Sequence, residues 1–454
     1  MLILAVVFGL PLVVFVLRKM IMNPIWGVAL VFFVNPIGPL LPDLGGLTIG
    51  RIVGILTMLI WLGHLVVNKR RFQKLARSRL LRNVWPFLAA IFMSALYWYP
   101  VNSGELALAG AFTFLLMGVL ALMTENLIQE KKDIRILAFA MAIASCIACI
   151  PAFFFTFGID LYTFFGAEAP TDLTAESARA STIGGNPNSL GIVARNGVFA
   201  GILLFISRSE KQNNLLTWVF LSVCLVGLVL SGSRTNFYGV AIVLFFLAFF
   251  GFRKLKAGFR KKLVLLSLGF MVLSIGAFQF VPDQVKARLF MGKGGDEYIA
   301  ERASSRLDYT QNQQIQAIGF LDDYPLFGVG LNRTREESGG LGAHDTVSVI
   351  VGETGLLGFF TFTWLIVWGL LRSYKCIHLV LEPNIKLGLS LLFGMLVSFL
   401  VMGTGGGLIM PDDRTFWVVL GLIYPLWDLD LKKRKGGLQK PKRMPLKRKT
   451  DLVL

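Results

Sequence analysis

Long apolar stretches recur along this chain from end to end, and no other feature limits its folding so strongly. About twenty apolar residues suffice to cross a bilayer as a helix. Candidate spans are Leu2–Leu17, Pro24–Leu41, Ile52–Val67, Val84–Trp98, Leu106–Met123, Ile134–Phe157, Pro187–Ile206, Leu215–Leu230, Phe237–Phe252, Leu263–Val281, Thr346–Leu371, Leu387–Met402 and Thr415–Trp427. Only 16% of the residues are charged, where a soluble domain carries about a quarter. The expected fold class is an all-α polytopic membrane protein with about 12–13 transmembrane helices. Pro11, Pro24, Pro36 and Pro39 interrupt the first two segments, so twelve spans is the alternative to thirteen. The first seventeen residues lack a charged leader and a small-residue cleavage site, and read as a retained span.

The formal net charge of +18 comes from clusters beside the spans. Lys432–Lys449 is rich in Lys and Arg and has no acids; Lys69–Arg82 and Arg253–Lys262 are further clusters. With the tail inside the cell, threading backward puts every basic connection on that same side, as the positive-inside rule requires. The basic residues have no folded domain around them, so nucleic acid is not an expected partner. The bilayer is.

This threading divides the chain into helices with short loops over residues 1–281, a large outer (periplasmic) loop over 282–343 between the tenth and eleventh candidate spans, C-terminal helices over 344–430, and a basic cytoplasmic tail over 431–454. A loop of that length is usually functional or disordered. Gly158–Asn186 and Gly403–Arg414 are further outer segments.

Of three histidines, only His344 falls on the outer side, at the seam between the large loop and the next span. An imidazole titrates near neutrality and suits general-base work; capping or anchoring the following helix is the bland alternative. Arg234 sits in the turn SGSRTN, and Arg195 lies about two turns inside a span, where an ionisable residue is costly. Guanidinium groups grip phosphate oxygens bidentately, and Arg288 and Arg306 stand on the same side. Glu353, inside the span after His344, needs a partner, and Arg195 or Arg234 is a candidate. Asp322, Asp323, Asp412 and Asp413 are carboxylates that a hard cation could use, but paired acids are more often solvated turns. Metal binding is disfavoured and no cofactor is expected. Asn186 and Pro187 suit a helix start, with Asn188 next to it. Cys146-x-x-Cys149 lies among Ala and Ile, where packing explains it better than redox chemistry.

The order of four short motifs resembles bacterial O-antigen ligases and the related polymerases. They are GGNPNSLG at 184–191, SGSR at 231–234, DYPLFGVG at 323–330, and His344-Asp345 followed nine residues later by GLLG at 355–358. In that family an amide or hydroxyl residue usually follows the histidine; here it is Asp345, which could raise the imidazole's basicity or cap the helix. The resemblance implies a metal-independent, inverting glycosyltransferase with a GT-C-like fold in the bacterial inner membrane, its site facing the periplasm. Its donor would be a glycan on undecaprenyl diphosphate and its acceptor the outer-core sugar of lipid A–core. His344 would activate the acceptor hydroxyl. Arg234 would hold the diphosphate, with Arg195, Arg288 and Arg306 as candidates for the second contact, and Asn188, Asp345 and Glu353 in support. A polymerase or a protein O-oligosaccharyltransferase on the same scaffold is the alternative. A transporter is disfavoured, because polar residues gather at one surface and no paired repeats are evident.

Overall fold

A computed structural model describes residues 13–37, 48–99, 104–155, 159–164, 187–207, 215–251, 314–334, 345–404 and 413–438, with single residues 268 and 410. The described residues form helices and turns. In chain order these are α1 (13–22), α2 (Ile25–Ile37), α3 (Ile49–Val67), α4 (Lys69–Ala76), α5 (Arg79–Trp98), α6 (Gly104–Leu127), α7 (Lys131–Phe155), α8 (Leu161–Phe164), α9 (Pro187–Ser207), α10 (Leu215–Leu230), α11 (Arg234–Gly251), α12 (314–323), α13 (Thr346–Leu379), α14 (Pro383–Thr404) and α15 (Arg414–Leu438). The chain is an all-α polytopic membrane protein: among the described residues seven helices are long and apolar enough to cross a bilayer, and three more are apolar but shorter. Of Leu263–Val281 only Leu268 is described.

Burial ranks the helices. The apolar window of α9 is 78% buried and that of α14 72%, against 17% for α3, so α9 and α14 form the centre and α3 the rim. α9 packs on α7, α10, α11 and α14, and α14 also on α13 and α15. Small residues permit these approaches. A Cβ built on Gly197 of α9 would lie 2.4 Å from Cys224 Sγ and 2.5 Å from Ser145 Cβ, and one on Gly227 of α10 2.5 Å from Cys149 Sγ. Cys146, Cys149 and Cys224 are thus buried, free packing residues at this contact.

One end of the bundle gathers the basic connections, and charge pairs knit it. Glu382 binds Lys131 at 2.5 Å and Lys433 at 3.4 Å. Asp430 pairs with Arg434 and accepts the Glu382 N–H at 2.9 Å. Arg135 donates to the Ser207 carbonyl at 2.8 Å, and Lys74 to that of Glu125 at 2.8 Å. Burial pushes the Lys74 ammonium below its ordinary value, against the opposing pull of Asp428 and Glu125. His64 Nε2 lies 2.6 Å from the Ile21 carbonyl, and His378 packs its ring on Tyr374 at 4.6 Å, so both histidines are structural ties.

Within the segment expected as a large loop, residues 314–334 belong to the bundle. α12 leads into a run of turns that packs against α5 and α13. The expected single span from Thr346 is also interrupted: α13 breaks at Gly355, where φ is 64° and ψ −162°. That backbone region is open essentially to glycine alone. The break would orphan two carbonyls and two N–H groups, and the turn supplies partners for all four. Val329 N–H donates to the Gly352 carbonyl at 2.8 Å and Gly330 N–H to that of Glu353 at 3.2 Å; Leu356 and Leu357 N–H donate to the Pro325 and Leu326 carbonyls at 2.9 and 3.3 Å. Irregular backbone is tolerated near a bilayer only when it is buried and satisfied in this way. Two backbones can lie so close only because side chains are missing. A Cβ on Gly355 would sit 2.5 Å from the Leu326 carbonyl carbon, and one on Gly328 (φ 62°) 2.4 Å from the Gly352 oxygen. The motifs DYPLFGVG and GLLG are therefore two halves of one interlock. α5 clamps it: Trp98 Nε1–H donates to the Gly328 carbonyl at 3.0 Å, and the Ser94 hydroxyl lies 2.8 Å from the Phe327 carbonyl.

Candidate functional site

The end of the bundle opposite the basic connections collects the sequence motifs. The turn at 231–234 is shaped by Gly232 (φ 59°) and by the Ser231 hydroxyl, which accepts the Ser233 N–H at 3.2 Å. It starts α11 with Arg234, which is half-buried. Asn236 Nδ2 donates to the Ser233 hydroxyl at 2.9 Å. Gly191 of α9 lies directly on this turn: a Cβ there would meet Asn236 Nδ2 at 2.7 Å and Ser233 Cβ at 2.9 Å. The first turns of α9, with Asn188 exposed, and the start of α11 thus form one surface.

Arg195, one turn deeper on α9, is fully buried. Its Nη2 donates to Asp413 Oδ2 at 2.6 Å, and its guanidinium lies 5.0 Å from the Phe399 ring. The other Asp413 oxygen accepts the Thr415 N–H at 2.8 Å and starts α15. Arg195 was expected on the diphosphate, with Glu353 as one possible partner. Its charge is instead committed to Asp413, which also removes Asp413 from any shared cation site. Asp322 and Asp323 are exposed; Asp412 lies outside the described residues.

Glu353 pairs with neither Arg195 nor Arg234. Its Oε1 accepts the Thr334 hydroxyl at 2.9 Å, beside the break in α13. That carboxylate ties the end of the turn to the helix it crosses, a local role that the span pattern did not reveal.

His344, Arg288 and Arg306 lie outside the described residues. Asp345, which follows His344, is fully buried and caps α13. It accepts the Ser348 N–H at 2.9 Å and the Ser348 hydroxyl at 2.5 Å, and Gln314 Nε2 approaches at 3.4 Å. Of the two roles open to this residue, the geometry shows capping. The next residue, Thr346, accepts the Met410 N–H at 3.0 Å, and its hydroxyl would lie 2.6 Å from a Cβ on Gly403. The starts of α9, α11, α13 and α15 and the end of α14 therefore converge. Asp345 and Asp413 already occupy the starts of α13 and α15, whereas α9 and α11 have no acid in their first turns, and helix N-termini of that kind favour anions.

Sequence reasoning missed Asp413 and Thr334 as partners, and Ser94 and Trp98 as the clamp. All four act across helices far apart in sequence, and no local pattern marks them.

A search of curated proteins returned no match. The family model described as O-Antigen ligase matches residues 219–363, about a third of the chain. That stretch runs from α10 through the Arg234 turn and the glycine interlock into α13. Over that stretch the chain is similar to the O-antigen ligase family.

Proposed function

We propose that this protein is an O-antigen ligase-like glycosyltransferase of the bacterial inner membrane, working at its periplasmic face. It moves a glycan from undecaprenyl diphosphate to the outer-core sugar of lipid A–core. His344 takes the proton from the acceptor hydroxyl, whose oxygen attacks the anomeric carbon. The bond from that carbon to the diphosphate oxygen breaks, and the carrier leaves with its diphosphate. Arg234, with Arg288 and Arg306, offsets the charge that develops on this leaving group. A single in-line attack inverts the anomeric centre, unlike the two-step retaining route with paired carboxylates. Arg195 serves by fixing α9 against α15. No metal ion is required.

The observation that carries this reading is the convergence of the motif-bearing helix starts at the end of the bundle remote from the basic connections. Asp345 supports it: its carboxylate caps the start of α13, and His344 immediately precedes it in sequence. The family match supports the class of reaction.

The test is the surface polysaccharide of a deletion strain carrying plasmid-borne variants. Loss of the gene should leave bare core and long lipid-linked chains, and His344→Ala should fail to restore ligation at normal abundance. Core bearing a single repeat unit would indicate a polymerase. Intact lipopolysaccharide with an unglycosylated protein would indicate protein as the acceptor. Restoration by His344→Ala would remove the catalytic histidine from the mechanism.

A further inference from the structure

A groove between α2, α3 and α6 takes no part in the site above. Val31, Gly54, Met58, Met117 and Leu120 are among the residues that line it. On α6 the lining runs from Thr113 to Met123, about 15 Å of helix. α3 is the least covered of the long apolar helices, and Ile55, Leu59 and Leu62 on it are exposed. In a bilayer these side chains meet lipid, so the groove lies at the lipid boundary.

At its outer end the groove carries two arginines, Arg51 in the first turn of α3 and Arg414 at the start of α15. The Arg414 guanidinium nitrogens lie 3.8 and 3.9 Å from where a Gly50 Cβ would stand. Neither arginine forms an ion pair among the described residues. The nearest carboxylate in sequence, Asp413, is committed to Arg195. Arg414 Nη1 is buried with no hydrogen-bond partner among the described residues. Two cations side by side, one with a desolvated and unused donor, form an arrangement that a bound anion relieves on both counts.

We infer that this groove is a second carrier-lipid site, holding the polyprenyl diphosphate that transfer releases, with its chain along α3 and α6 and its terminal phosphate on Arg51 and Arg414. Two features select this occupant. Paired guanidiniums match the double charge of a terminal phosphate better than the single charge of a phosphodiester. A single groove takes one chain, which a polyprenyl diphosphate has and a diacyl phospholipid exceeds. The inference rests on the proposed function for the presence of a carrier lipid at this face. The groove then holds carrier that is leaving, because a carrier still loaded with glycan has no terminal phosphate. Its phosphate ligand Arg414 directly follows Asp413, the residue that holds Arg195.

The test uses the full-length protein in nanodiscs of zwitterionic phosphatidylcholine. Undecaprenyl diphosphate is titrated in, and retained lipid is read by native mass spectrometry. Arg51→Gln should weaken retention about tenfold, by loss of one charge-assisted contact. Gly54→Leu should do the same by filling the groove. A Cβ there meets nothing within 4 Å, so the fold has room for it. Gly63→Leu, equally unobstructed and nearer the basic end of α3, should leave retention unchanged. Retention indifferent to both Arg51→Gln and Gly54→Leu would overturn the site. So would equal retention of phosphatidylglycerol, or loss on Arg234→Gln alone. Glycan transfer is measured in the same discs. Residue-dependent retention without any transfer would sink the proposed function and leave the groove standing; transfer with retention indifferent to these residues would do the reverse.

Discussion

The two ends of the bundle handle charge in opposite ways. At the basic end, buried carboxylates meet cations: Glu382 has Lys131 and Lys433, and Asp430 has Arg434. At the other end one pair is closed, Arg195 with Asp413, while Arg51, Arg234 and Arg414 form no ion pair among the described residues. A charge neutralised within the chain builds structure. Cations are left over at the basic end too, among them Arg372 over the Trp427 ring, and the positive-inside rule accounts for them; at the other end a left-over cation can receive an anion that arrives from outside. The difference separates structural cations from receptive ones, and Arg195 shows that depth alone does not.

The largest effect should come from opening the closed pair. Asp413→Ala leaves the fully buried Arg195 unpaired and should cost about 3–5 kcal/mol, read as loss of a monodisperse peak after heating in detergent. Replacing both partners by Met and Leu should recover most of it. If the double variant is no better than the single one, the pair is not a structural cation with its counter-ion. Next comes the interlock. Gly355→Ala places a methyl group 2.5 Å from a carbonyl carbon in a glycine-only conformation, and should cost about 2–4 kcal/mol by the same measurement. An unchanged midpoint would show that the two backbones part without cost. Asp345→Ala should cost about 1–2 kcal/mol as a lost cap, and Asp345→Asn far less. Transfer activity that falls with Asn as sharply as with Ala would instead tie the carboxylate to the imidazole. The smallest effect is expected at the basic end: Lys131 is 38% exposed in its side chain, so Lys131→Ala should cost no more than about 1 kcal/mol. A large loss there would erase the contrast between the two ends.

Much of this was legible in the chain, and the limits have physical reasons. The span Leu215–Leu230 is α10 residue for residue, because polar residues flank it in sequence on both sides. Burial of Cys146, Cys149 and Cys224 follows from their apolar neighbours, whereas that of Cys376, in a basic stretch, does not. The break in α13 did not show, because hydropathy is continuous through Glu353 and Gly355 and the orphaned backbone groups are invisible to a pattern of side chains. The glycines at 328, 330 and 355 are its only trace in the sequence, and their spacing marks a motif without showing that the two stretches touch. Lateral partners failed for a related reason. Arg195 could be seen to need a carboxylate, but the choice of Asp413 over Glu353 is made by which helices touch, a matter of packing more than two hundred residues apart.

The interlock also has a consequence for assembly. Residues 325–330 and 352–357 are close in sequence, so they can complete one another as soon as both have been made. The Ser94 and Trp98 contacts span 233 and 230 residues and join it to a helix inserted far earlier. The turn and the broken helix therefore make a self-sufficient insertion unit, with its exposed backbone already silenced before it finds α5. A mutation that loosens the glycine contact would present that unit to the bilayer with bare peptide groups, and the quality-control machinery of the membrane would meet the defect before any substrate did.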